Sequence, residues 1–159
     1  MKTLLKIVGT IIVCLVLLLV VLSITGLEPR DRTPGLWLKG NVVTTPVTDW
    51  SFTDNDPTVK LQTQSWYLLP HSVTINCIAY NGQLYLSSVY PAGTPRSWND
   101  NVLRDPHVRI KIGNDVYDRT LFLVTDPGER AGVLEARKTK YPQLKIPPKA
   151  TIHVFHIVG

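Results

Sequence analysis

Apolar and polar residues alternate with a period of two over most of the chain after residue 26. The stretch from Thr58 to Ser65 is the clearest case, and the stretch from Thr151 to Val158 is apolar on both faces. Such alternation predicts β-strands, and a strand that is apolar on both faces is expected to be central or to lie at an interface. Further strands are predicted at residues 36–43, 71–80, 83–90, 108–112 and 116–124.

Two short segments break the alternation and carry signals for the start of a helix. Thr94 precedes a proline, which is tolerated in the first helical turn, and Asp105-Pro106 ends this first helix. Asp126 precedes a proline and stands three residues before Glu129, so a second helix is predicted from there to about Tyr141. So many consecutive hairpins with only two short helices predict a mainly β domain, a small antiparallel barrel.

The dipeptide Asn81-Gly82 separates two alternating runs and predicts a type I′ hairpin turn. With this turn, Tyr80 faces Gln83 and Cys77 faces Leu86 across the hairpin, while Asn76 faces Ser87. One face of the hairpin is apolar, as a core requires, and the other carries hydroxyl, amide and aromatic groups. Such a face is suited to line a pocket, although an ordinary half-exposed hairpin has the same pattern.

The N-terminal segment reads as a membrane helix. The run from Leu4 to Ile24 provides about 21 helical residues, enough to cross a bilayer core of roughly 30 Å. Lys2 and Lys6 favour a cytoplasmic N-terminus, so the domain is expected outside the inner membrane, on the periplasmic side. A cleaved signal peptide is the alternative, but the run ends in Leu-Ser-Ile-Thr-Gly, a poor cleavage site. We therefore predict an anchor at residues 1–26, a linker at 27–35 and one domain at 36–159.

Composition excludes several classes of function. The formal net charge is +5, but the basic residues are scattered among acidic ones, so no nucleic-acid-binding stripe is predicted. Cys14 lies in the predicted membrane helix and Cys77 in a core strand, so they cannot form a disulfide. His153 and His156 point to opposite faces of one strand and cannot share a metal. No nucleophile, phosphate-loop or metalloprotease motif is present.

The strongest chemical pattern is one for binding an anion. Ser87 and Ser88 end a predicted strand, and Arg96 and Ser97 follow at the start of the first helix. Hydroxyls, an arginine and a helix N-terminus are groups that bind phosphate, and Trp98 and Tyr90 are expected to supply an apolar wall for a ring. A capped helix with a surface arginine would give the same residues.

The middle of the chain resembles the flavin-binding split-barrel superfamily, which includes the pyridoxamine 5′-phosphate oxidases and the deazaflavin-dependent nitroreductase-like proteins. The residues that carry the resemblance are His71-Ser72-Val73-Thr74, Asn81-Gly82, Leu84-Tyr85-Leu86-Ser87-Ser88, Gly93-Thr94-Pro95-Arg96-Ser97-Trp98 and Asn101-Val102-Leu103-Arg104-Asp105-Pro106. The resemblance extends over about residues 36–158. It implies an antiparallel split β-barrel, here preceded by one transmembrane helix.

The resemblance also implies a cofactor, FMN or a deazaflavin, with haem as a less favoured alternative. The implied cofactor-binding residues are His71, Ser72, Thr74, Ser87, Ser88, Arg96, Ser97 and Trp98. Because related barrels build their flavin site between two chains, a homodimer is expected as well. The strand at 151–158, apolar on both faces, is a second reason to expect one.

Two hypotheses about function follow. The first is a membrane-anchored oxidoreductase of unknown substrate whose cofactor carries the redox chemistry, as the absence of acid–base motifs suggests. The second is a membrane-tethered binding module that has kept the barrel but lost cofactor chemistry. Arg96 with Ser87 and Ser88 favours the first, and His71, where an arginine or lysine is expected, favours the second.

Overall fold

The computed structural model describes residues 2–94 and 97–159. Its elements are α1 (Lys2–Thr25), β1 (Asn41–Val42), a 3₁₀ turn (Ser51–Asn55), β2 (Val59–Gln64), β3 (Pro70–Ile75), β4 (Cys77–Tyr80), β5 (Gln83–Pro91), α2 (Ser97–Arg104), β6 (His107–Ile112), β7 (Asp115–Leu123), α3 (Pro127–Lys140) and β8 (Ala150–Val158). Both predicted short helices are present, and α3 begins with the expected cap, in which Asp126 accepts a hydrogen bond from the backbone of Glu129.

The strands form one eight-stranded sheet that curls into a half-barrel. Its order is β3-β2-β6-β7-β8-β5-β4, with antiparallel pairing throughout this path. The predicted antiparallel barrel fold is therefore confirmed. Arg109 lies opposite Asp118, and β8 is central, between β7 and β5, which is one of its two predicted positions.

The first predicted strand, 36–43, is reduced to the two residues of β1, which pair parallel to β7. At Gly40 the chain passes so close to the β6–β7 turn that a Cβ would lie 2.3 Å from the carbonyl oxygen of Asn114. The preceding residues cross the sheet instead of joining it, and Leu38 is held by the side chain of Gln62. The prediction missed this crossing because bulges and crossings leave the apolar pattern intact.

A break at Asn76 divides the predicted strand 71–80 into β3 and β4, and this break opens the barrel. Before it, β3 pairs with β2; after it, β4 pairs with β5. The pairing of β4 with β5 ends at Cys77 and Leu86, although β5 continues to Pro91. The expected pair Asn76–Ser87 is therefore wrong, and the two strands separate at that point. The predicted turn at Asn81-Gly82 is confirmed, with positive φ at both residues.

The barrel has apolar cores on both sides of the β5–β8 region. Phe155, Ile157 and Leu86 are buried inside the barrel, while Val154 and Tyr85 are buried outside it, under α3. The Tyr85 hydroxyl donates to Glu129 of α3 at 2.7 Å, and burial raises the pKa of Tyr85. Strand β8 is thus apolar on both faces because the chain itself covers both, so its pattern gives no separate evidence for a dimer.

The N-terminal helix has no buried residue, and it leads into a segment that packs on the barrel. Helix α1 has 24 residues and is long and apolar enough to cross a membrane. The following segment is fixed by Glu28, which forms ion pairs with Lys60 and Lys111. A backbone bridge between Gly35 and Ser72 adds a second attachment. The segment at 27–35 therefore lies against β2, β3 and β6.

Candidate functional site

A cleft lies where β3 and β5 separate. It has a volume of about 380 Å³, within the range of small-molecule sites. Its lining combines hydroxyl, amide, apolar and basic side chains: Thr74, Ile75, Asn76, Ser87, Ser88, Val89, Trp98, Arg137, Leu144, Lys145 and Pro147. We call this the β3–β5 cleft. Four of the eight predicted cofactor-binding residues line it, namely Thr74, Ser87, Ser88 and Trp98.

The two serines are fixed by the sheet and by α2. Ser87 pairs with Val154 and Ser88 with His153 in the β5–β8 ladder. The Ser88 hydroxyl oxygen accepts a hydrogen bond from the Asn99 amide at 3.0 Å. Because that oxygen is already engaged as an acceptor, the Ser88 proton is left to donate to an acceptor in the cleft. The carbonyl oxygen of the Asn99 side chain is buried and has no partner among the described residues.

Trp98 forms an apolar wall of the cleft. It is 6% exposed, and its ring lies against Phe155 with centroids 5.5 Å apart. Trp98 and Thr74 also line a second opening of about 510 Å³, whose other wall includes residues 31–34 of the segment after α1. The second opening shares these two side chains with the cleft but is a separate cavity, and its lining includes Asp31 and Arg32.

Two cations line the cleft that were not assigned to the site from the sequence. Arg137 is on the last turn of α3 and is 5% exposed, whereas Lys145 is exposed. The described lining residues include no carboxylate, so the cleft carries a local positive charge. One signal was available for Arg137: it lies four residues after the buried Val133 and so on the same face of α3. The sequence did not reveal that this face adjoins the gap between β3 and β5.

Three of the other predicted residues lie beside the cleft and do not line it. The Ser97 hydroxyl is 3.3 Å from Nε2 of His71, and burial lowers the pKa of His71. The imidazole is therefore neutral near pH 7. Ser72 is fully buried, and its hydroxyl has no partner within the described part of the chain. Arg96 lies outside the described residues.

A larger cleft of about 520 Å³ lies elsewhere, at the β2–β6–β7 side of the barrel. We call it the β6–β7 cleft. Its Arg109 forms two hydrogen bonds of 2.7 Å with the carboxylate of Asp118. Its volume exceeds that of the β3–β5 cleft, but its lining includes two carboxylates, Asp105 and Asp118, and Arg109 is paired with the second of them. For an anionic ligand we therefore favour the β3–β5 cleft. No cluster of three or more metal-ligating side chains occurs among residues 2–94 and 97–159.

Sequence and structure comparisons give different results. No protein-family model matches the sequence, and no curated protein sequence does so either. Solved structures do match. One is a Listeria innocua protein assigned as a pyridoxamine 5′-phosphate oxidase, 20% identical over 68% of this chain and 87% of its own, with a TM-score of 0.51.

A second matching structure is an F420-H2-dependent reductase, 25% identical over 64% of this chain and 94% of its own, with a TM-score of 0.50. A third is described as a domain-swapped dimer, with 24% identity, coverage of 64% and 80%, and a TM-score of 0.51. These likenesses confirm the resemblance to the split-barrel proteins at the level of the fold. At such identities, function must be argued from the site itself.

Proposed function

We propose that this protein is a membrane-anchored split-barrel protein that binds FMN or a deazaflavin in the β3–β5 cleft and acts as an oxidoreductase. The observation that carries the proposal is the composition of the cleft. It combines hydroxyls, a buried arginine and an apolar wall in one cavity, without a carboxylate among the described lining residues. That donor set fits an anionic ligand with a planar ring. The F420-H2-dependent reductase of the same fold supports the choice of cofactor class.

The buried polar groups around the cleft also fit a bound cofactor. Arg137 lines the cleft, and its Nε is buried without a partner in the described structure. Asn99 lies behind the lining residue Ser88, to which its amide donates, and its Oδ1 is likewise buried without a described partner. A buried polar atom without a partner costs about 1–3 kcal/mol, so a ligand that supplies hydrogen bonds there would recover part of that cost.

When bound, a flavin or deazaflavin supplies hydride chemistry, and the chain's own residues position and tune it. Trp98 offers a flat apolar surface, and Ser88 offers a fixed hydrogen-bond donor. The described lining residues include neither a carboxylate nor a histidine. The chain therefore contributes orientation, hydrogen bonds and positive charge at this site. We keep His71, Ser72, Arg96 and Ser97 as proposed cofactor contacts together with Thr74, Ser87, Ser88 and Trp98.

The anchor is part of the proposal. A helix of 24 residues spans about 36 Å at 1.5 Å per residue, more than a bilayer core of about 30 Å. We infer an uncleaved single-pass anchor at 1–26, a junction at 27–35 and an outward-facing domain at 36–159. Protease added to spheroplasts should digest the domain in its full-length form. A protected domain, or a mature chain without its first residues, would contradict this topology.

We further propose a homodimer. A split-barrel protein described as a domain-swapped dimer supports it. Phe122 and Leu123 at the end of β7, which are 54% and 40% exposed, offer apolar surface for the contact. Light scattering at micromolar concentration should give twice the chain mass in detergent-corrected samples. A monomeric mass would remove this part of the proposal.

The visible spectrum of the purified full-length protein tests the cofactor directly. A flavin band, either as purified or after titration with FMN or a deazaflavin, is expected; a haem would give a Soret band instead. If the folded protein binds neither FMN nor a deazaflavin, the oxidoreductase proposal is wrong. The membrane-tethered binding module without cofactor chemistry then becomes the better account, and the neutral His71 is the observation that favours it.

A further inference from the structure

Arg137 differs from the other buried arginine of the barrel, Arg119, in having few partners for its charge. Its Nη1 donates to the carbonyl oxygen of Leu144 at 3.2 Å, and its Nε is buried without a partner among the described residues. Arg119 also has an unpartnered Nε, but it donates to two backbone carbonyls and lies over the rings of Trp50 and Tyr117. Only Arg137 is buried in a cleft whose described lining lacks a carboxylate.

A buried guanidinium without a counter-charge is costly. Desolvation of an ion is repaid in proteins by an opposite charge and additional hydrogen bonds. An arginine does not escape this cost by losing its proton, since its pKa remains far above 7. An anion in the β3–β5 cleft would supply both the charge and the missing acceptor.

The position of Arg137 is also fixed in advance. The residue follows Val133 on the buried face of α3, and the Leu144 carbonyl holds one side of its guanidinium. Lys145, the next residue after Leu144, brings a second cation to the same lining. A guanidinium whose orientation is already set loses little conformational entropy on binding an anion.

We propose that Arg137, assisted by Lys145, binds the phosphate of the ligand, and that the cleft therefore selects phosphorylated flavins over flavins that lack phosphate. This inference rests on the proposed function, because it assumes a flavin-type ligand. It assigns the phosphate to α3 and the loop after it. The ring is then left to the wall formed by Trp98 and to the hydroxyls of Ser87 and Ser88.

The test compares two ligands that differ only in the phosphate. FMN and riboflavin are titrated into the full-length wild type and into Arg137→Gln, with fluorescence or absorbance as the readout. Wild type should bind FMN more tightly than riboflavin. Arg137→Gln should weaken FMN binding by about 10- to 100-fold and change riboflavin binding by less than about twofold, as expected when a charge-assisted hydrogen bond is lost. If F420 is the ligand that binds, F420 and its phosphate-free chromophore replace the pair.

Two further variants complete the design. Lys145→Gln should weaken FMN binding less than Arg137→Gln does, because Lys145 is exposed. Arg109→Gln, in the other cleft, removes an arginine of the same charge and should leave both affinities unchanged. Equal losses for FMN and riboflavin in Arg137→Gln, or an unchanged FMN-to-riboflavin ratio, would overturn the inference while leaving the proposed function intact. If wild type binds neither FMN nor a deazaflavin, both the proposed function and this inference are refuted.

Arg137→Gln can also fail to fold, since the side chain is buried. In that case, the dependence of ligand binding on salt concentration in the wild-type protein tests the inference. Binding of FMN should weaken as ionic strength rises, and inorganic phosphate should compete with it, whereas riboflavin should respond to neither. If FMN and riboflavin respond alike, the phosphate does not meet a cationic site and the inference is wrong.

Discussion

The two clefts of the barrel contain similar residues but balance their charges differently. In the β6–β7 cleft, Arg109 forms two hydrogen bonds with Asp118, and these bonds hold the pKa of that carboxyl below its usual value. In the β3–β5 cleft, Arg137 has only a backbone carbonyl as acceptor among the described residues. In the first cleft, carboxylates of the chain already face the basic side chains, whereas the described lining of the second cleft has no carboxylate and calls for an external anion. The balance of charge therefore identifies the candidate site, although the other cleft is larger.

The largest expected effect comes from removing the apolar wall of the β3–β5 cleft. Trp98→Ala should lower the free energy of unfolding by about 3–5 kcal/mol, because a buried ring is lost from its contact with Phe155. It should also abolish flavin binding. Urea unfolding and ligand titration measure the two effects. Trp66→Ala is the control: Trp66 is 77% exposed, and its loss should change stability by no more than about 0.5 kcal/mol.

A smaller effect is expected from the hydrogen bond that fixes Ser88. Ser88→Ala should cost about 1–3 kcal/mol, because it leaves the buried Asn99 amide without its acceptor. Adding Asn99→Leu should recover much of that stability, because both hydrogen-bonding side chains are then replaced by apolar ones and no buried amide is left without an acceptor. Chemical denaturation of the two single variants and the double variant measures the coupling free energy between Ser88 and Asn99. An additive double variant would show that the hydrogen bond does not hold Ser88 in place.

Breaking the ion pair of the other cleft should have little effect. Asp118→Asn should lower the free energy of unfolding by about 0.2–1 kcal/mol, because Arg109 and Asp118 are 28% and 57% exposed. It should leave FMN affinity unchanged. A loss of FMN affinity as large as that expected for Arg137→Gln would mean that the ligand binds in the β6–β7 cleft.

The smallest expected effect is a pH dependence of stability, which differs between His71, beside the β3–β5 cleft, and Asp118, in the β6–β7 cleft. His71 has a folded-state pKa below its ordinary value of about 6.5, so the unfolded chain takes up its proton first. Stability should therefore be complete above about pH 6.5 and decrease as the pH falls below it. His71→Gln should remove this component. The Asp118 component, whose folded pKa is also lowered, should be lost only below about pH 3.9. Unfolding curves from pH 4 to 8 would show whether the decrease in the free energy of unfolding below pH 6.5 is absent in His71→Gln.

The regular parts of the fold were predictable from the sequence, and the irregular parts were not. Period-two alternation predicted β2, β6, β7 and β8, and the caps at Asp126 and Asp105-Pro106 predicted where helices start and stop. The break at Asn76 changes no apolar position, so the pattern could not show that one predicted strand is two. The turn after β2 is also irregular: it is formed by the apolar residues 66–68, and Leu68 adopts a positive φ, which the apolar pattern does not show.

The candidate site was predictable only where its residues belong to regular strands and helices. Thr74, Ser87, Ser88 and Trp98 belong to regular elements, so their order along the chain was enough to bring them together. Arg137 is one of several basic residues between 130 and 149, and only the packing of α3 on β4 distinguishes it. The sequence predicted Arg96 as the phosphate-binding residue, and Arg96 lies outside the described residues. That assignment stays a prediction, and Arg96→Ala can be measured in the same titrations.

A crystal structure of the protein with FMN or a deazaflavin, whichever it binds in titration, would locate the cofactor site directly. We expect ligand density in the β3–β5 cleft, with the ring against Trp98 and the phosphate at Arg137. Density in the β6–β7 cleft, beside Arg109 and Asp118, would contradict this expectation.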